Sequence, residues 1–129
     1  MSNFLLDRDS TTWVVPERFP AALVPAGVFV QDAPSGLEVT LVHARRKPTA
    51  ADLRDGWSKR RAGRASPVLL VALYPTAEGE RVSLCGPVGD PPTVYHNLEV
   101  SQVERLAEVA LSEPSHHAAT RFLLAAVSE

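Results

Sequence analysis

Eight basic residues fall between positions 45 and 64: Arg45, Arg46, Lys47, Arg54, Lys59, Arg60, Arg61 and Arg64. Only Asp52 and Asp55 oppose them, so this window carries +6 while the rest of the chain sums to −8, within a net charge of −2. Eleven of the 13 bases are arginines. The guanidinium group is a planar fork of donors that fits phosphate and carboxylate, although a GC-rich genome produces the same bias. A helix carrying Trp57 among these cations would set Arg54, Lys59, Arg60, Arg61 and Arg64 as candidates for contacts to nucleic-acid phosphates or to an acidic partner surface. The competing expectation is that Leu53 and Trp57 pack on a sheet while the arginines at their flanks snorkel to water or pair within the chain.

Other chemistries have thinner support. A metal centre needs three or four converging ligands. His116 and His117 are adjacent and point about 100° apart on a helix, while His43, His96 and Cys85 would have to gather from separate segments. No metal or other cofactor is expected. Cys85, followed by Gly86 and Pro87, reads as a small buried thiol rather than a nucleophile, and no serine sits in a G-x-S-x-G elbow. A metal-dependent nuclease would place one acid on a strand and Glu-x-Lys on the next. Asp32 and Glu38 have that order, yet Thr40 stands where the lysine is needed. The Gly86–Asp90 loop lacks the Lys-Ser/Thr of a phosphate loop. No catalytic residue is assigned, and the chain is expected not to be an enzyme.

The elements that would hold these residues follow from periodicity. Leu37, Val39 and Leu41 alternate with Glu38, Thr40 and Val42, which predicts a strand with one face in the core. Thr49 and Asp52 have helix-start spacing, Gly63 a helix-stop position, and a basic helix over 50–62 lies between them. Val68 to Tyr74 is almost wholly apolar and reads as a central strand covered on both faces. It pairs with residues 80–85 as a hairpin (67–74/80–85), Val82 and Leu84 facing inward. Gly86 to Pro92 is expected to be irregular, and Thr93–His96 a short strand. Ser101 and Glu104 open a helix over 102–112, and a second C-terminal helix covers 116–127. In the first 35 residues, prolines leave only Phe4–Leu6, Trp13–Val15 and Gly27–Gln31 as short strands, with Pro16, Pro20 and Pro25 at edges and bends. The expected class is α+β, a small mixed or antiparallel sheet in a single domain over 1–129. A chain of 129 residues, 45% apolar, can close one core without staples. One cysteine, no leader-like start and no apolar run of membrane-spanning length give the expectation of a cytoplasmic protein with no membrane partner.

Several of these pieces occur together in a known family. Trp57 with Arg60, Arg61 and Arg64, then Pro67 with its apolar strand, Cys85-Gly86-Pro87 and Glu104-Arg105-Leu106 resemble the amino-terminal region of large bacterial restriction-modification and phage-defence adenine DNA methyltransferases, over residues 45–128. The Asn-Pro-Pro-Tyr-type motif of their methylase part has no counterpart in this sequence. The resemblance therefore implies a non-catalytic accessory module, the N-terminal part of a longer polypeptide, that meets DNA, an acidic protein surface or its own downstream domains. A protein-interaction or scaffold domain is the alternative, and a metal-dependent nuclease-like enzyme a further one.

Overall fold

A computed structural model describes residues 13–14, 20, 22–29, 38–64, 67–89 and 91–105. Their order is β1 (Trp13–Val14), β2 (Val24–Phe29), β3 (Glu38–His43), α1 (Ala50–Arg61), β4 (Val68–Thr76), β5 (Gly79–Gly89) and β6 (Pro92–Glu99), followed by helical residues 100–105. The strands form one six-stranded sheet in sequence order. Every pairing is antiparallel except β3 with β4. A parallel pair needs a crossover rather than a tight turn, and α1 is that crossover. The class is thus α+β with a mixed sheet.

The central position of β3 and β4 explains their composition. Val39, Val42, Val68, Leu70 and Val71 are all 0% exposed, as expected of strands covered on both faces. Along β4, Leu70, Ala72 and Tyr74 join Val42, Ala44, Cys85 and Leu53 of α1 in one core cluster, with Trp57 and Val94 packed against it. Leu69, Leu73, Val39, Leu41, Val82 and Leu84 point to the opposite face, and they too are buried. Each such side chain taken out of water contributes roughly 1.5–3 kcal/mol. Val82 and Leu84 of β5 are buried as expected, and so is the Cys85 thiol; Ser83 is buried as well, because α1 covers its side of the sheet.

Further boundaries differ from the sequence reading, β6 (Pro92–Glu99) being longer than the expected Thr93–His96. Strand β2 starts at Val24 rather than Gly27, since its proline is accommodated by a ladder irregularity between Pro25 and Gly27. Opposite β1 only Val28 and Phe29 are paired, so Pro25 has a described neighbour on one side alone, where its missing donor costs little. Residues 86–89, expected to be irregular, continue β5 through a shift in register between Cys85 and Gly89. There Gly86 adopts φ +101. Helical geometry begins at 100, so Ser101 lies inside that helix instead of capping it. Phe4–Leu6, most of 102–112 and all of 116–127 lie outside the described residues.

Gly86 is required by both conformation and space. A Cβ at this position would overlap Trp57 Nε1 and come within 2.7 Å of Val68 O. At Gly63, whose φ is also positive at +73, a Cβ meets nothing within 4 Å. Gly86→Ala should therefore lower unfolding free energy by about 3 kcal/mol through strain and displaced packing, and Gly63→Ala by about 1 kcal/mol through backbone strain alone. Urea denaturation of the two variants checks this, and equal losses would contradict it.

Candidate functional site

Helix α1 begins and ends as its sequence dictates. Thr49, in extended conformation, accepts a hydrogen bond from Asp52 N at 3.1 Å, which satisfies one of the open donors of the first turn. Gly63 follows the C-cap Ala62, and Lys59, Arg60 and Arg61 occupy the last turn, where positive charge complements the helix dipole. Leu53, Gly56 and Arg60 are buried along one stripe. Trp57, on the same stripe, donates from Nε1 to Val68 O at 2.7 Å. The inward stripe thus ends in a guanidinium.

That guanidinium meets a carboxylate of the sheet. Arg60 Nε donates to Glu38 Oε2 at 2.7 Å and Nη2 to Oε1 at 3.0 Å, with the side chains only 9% and 13% exposed. Such a two-pronged, charge-assisted contact is among the stronger hydrogen-bond geometries available to side chains. Arg64 Nε lies 3.7 Å from Glu38 Oε1, and Thr40 Oγ1 donates to Oε2 at 3.3 Å. Glu38, considered above as a nuclease acid, is a structural anchor for two arginines, and Asp32 lies outside the described residues.

The five nominated cations are therefore not gathered on one open face. Arg60 is buried on Glu38, and Arg64 is close to the same carboxylate. Arg61 Nη1 donates to Arg64 O, and Arg54 Nε donates to Pro92 O at 3.1 Å across to β6. Lys59 alone of the five is exposed, and it pairs with Asp55 one turn earlier at 3.3 Å. The expectation that the arginines flank Leu53 and Trp57 does not hold for Arg60, which lies on the buried stripe itself. The i, i+3, i+4, i+7 run of Leu53, Gly56, Trp57 and Arg60 is the signal that places it inside.

The open cations lie at the other end of α1. Arg45, Arg46 and Lys47, in the β3–α1 connection, are exposed. With Ala22, Pro48, Thr49 and Asp52 they line a cavity of about 520 Å³. None of the three forms an ion pair with another described residue.

A second polar group sits on the α1 side of β5 and β6 and was not anticipated, because it joins residues 13 apart across a shifted register. Ser83 Oγ and His96 Nδ1 are 2.7 Å apart. Burial and the nearby charge of Lys47 hold the His96 pKa below its ordinary value, so the neutral ring can accept from the serine hydroxyl. Ser83 is 0% exposed, which denies it to a substrate. Beside it, Tyr74 Oη accepts from Asn97 N at 2.8 Å and donates to Asn97 Oδ1 at 3.1 Å, with Asn97 in the left-handed region at φ 59. Burial pushes the Cys85 thiol up to about 12, offset in part by Arg54. A thiol so held is protonated at neutral pH and a poor nucleophile. Among the described residues no three His, Cys, Asp or Glu side chains are grouped to hold a metal ion. Comparison with protein-family models, with curated proteins and with solved structures returns no match to this chain.

Two outcomes follow from these contacts. Glu38→Gln removes the carboxylate charge that the nearly buried Arg60 guanidinium grips in two places and should cost about 3 kcal/mol of stability. Lys59→Ala, which breaks an exposed pair, should cost less than about 0.5 kcal/mol. Chemical denaturation of each variant decides the matter, and an equal effect would refute the structural assignment of Glu38. For His96 the folded-state pKa is lowered, so the unfolded chain binds more protons. Its contribution to stability is complete above the unfolded value of about 6.5 and declines as pH falls through that value toward the folded one. Thermal midpoints at pH 7.5 and 5.5 should fall further in the parent than in His96→Asn, whose Oδ1 can replace Nδ1 as acceptor.

Proposed function

We propose that this domain is a non-catalytic interaction module that docks an anionic segment of a protein partner on the corner formed by Arg45, Arg46 and Lys47. The observation that carries the reading is the contrast in how its cations are used. Arg60 is buried on Glu38 and Arg64 lies close to the same carboxylate, whereas the three corner cations are exposed around one cavity without an ion-pair partner among the described residues. Exposed charge of this kind steers encounter and selects partners.

A short acidic segment suits this corner better than a nucleic-acid duplex. Duplex DNA presents a continuous line of negative charge. It would be brought against a chain whose residues outside the 45–64 window sum to −8, and that repulsion opposes close approach. In the setting that the sequence resemblance implies, the acidic segment would belong to another domain or subunit of a DNA-modification or phage-defence protein.

The test is fluorescence anisotropy with a labelled hexaglutamate peptide and, separately, a labelled duplex DNA at low salt. The peptide should bind, weaken with added salt, and lose about tenfold in affinity when Arg45, Arg46 and Lys47 are replaced together by Ala, a change of roughly 1.4 kcal/mol. The thermal midpoint should stay unchanged. Binding of the duplex but not the peptide, or equal binding by the triple variant, would contradict the proposal.

A further inference from the structure

We infer that the group recognised in the corner cavity is a phosphomonoester on a side chain of the partner, an inference that rests on the docking reading above. Among the described residues, the ionisable side chains lining the cavity are Arg45, Arg46, Lys47 and Asp52, so the formal charges of these four sum to +2. A phosphorylated serine or threonine carries about −1.5 to −2 at neutral pH and balances that sum, whereas one carboxylate leaves half of it uncompensated. Two of the three cations are guanidinium groups, whose forked donors match phosphate oxygens in pairs. The Thr49 hydroxyl, whose oxygen accepts from Asp52 N, retains a hydrogen to donate. At about 520 Å³ the cavity falls within the range of small-ligand sites, large enough for a phosphoryl group together with the residue that bears it.

Amide ¹H–¹⁵N spectra of the whole chain, titrated in turn with phosphoserine, inorganic phosphate, glutamate and acetate, test this. Phosphoserine and inorganic phosphate should shift the amides of residues 45–52 saturably, with phosphoserine bound about tenfold more tightly than glutamate. Lys47→Ala should weaken phosphoserine binding several-fold, and Asp52→Asn, which removes the negative charge among the described lining residues, should strengthen it. Equal affinity for glutamate and phosphoserine would overturn the inference while leaving acidic-segment docking in place. Response to inorganic phosphate without response to phosphoserine would overturn the side-chain source. If no anion moves these amides and hexaglutamate also fails to bind, both proposals fall.

Discussion

The contact of Arg60 with Glu38 ties the last turn of α1 to the first residue of β3. These two elements and β4 form the crossover unit at the middle of the sheet. A helix that serves as a crossover must lie across its strands in one register, and apolar contacts alone permit sliding. Leu53 and Trp57 supply the apolar contact. The two-pronged guanidinium–carboxylate pair and the Trp57 bond to Val68 O add direction, since each is satisfied in only one placement of the helix. Because the pair is almost enclosed, its net contribution to stability is smaller than its geometry suggests, while the loss of either partner is expensive.

Anchoring the helix this way divides the basic window into two populations. At the carboxyl end of α1, positive charge is engaged by Glu38 and by backbone carbonyls, and it also offsets the negative end of the helix dipole. At the amino end, the β3–α1 connection carries three cations that meet no carboxylate among the described residues. A charge count along the sequence sums the two populations into one figure of +6 and suggests a single basic face. The folded chain has a consumed portion and an open portion at opposite ends of the same helix.

Much of the architecture was legible. The α+β class, the α1 boundaries to within one residue, the Thr49 cap, the apolar strand 68–74 and its hairpin all rest on local periodicity and turn chemistry, which a sequence displays directly. Glu38 and Thr40 misled because an alternating strand does not state which face is covered. At the even positions Glu38 meets Arg60 and Val42 packs with Leu53 of α1, so both faces of β3 are covered. Residues 86–89 were read as irregular from their glycines and prolines, yet positive φ at Gly86 and a shift in register let the strand continue. The Ser83–His96 contact depends on that same hairpin's irregular pairing, which no local pattern encodes. At the site, residue types were informative and partners were not: nothing in the spacing from Glu38 to Arg60 announces an ion pair between positions 22 apart.

Arginine-selective dicarbonyl labelling, followed residue by residue with mass spectrometry on the folded chain, tests the division of the cations most directly. The account predicts fast modification of Arg45 and Arg46 and slow modification of Arg60, with Arg60 accelerated when Glu38 is replaced by Gln. Modification of Arg60 as fast as that of Arg45 in the parent chain would contradict it.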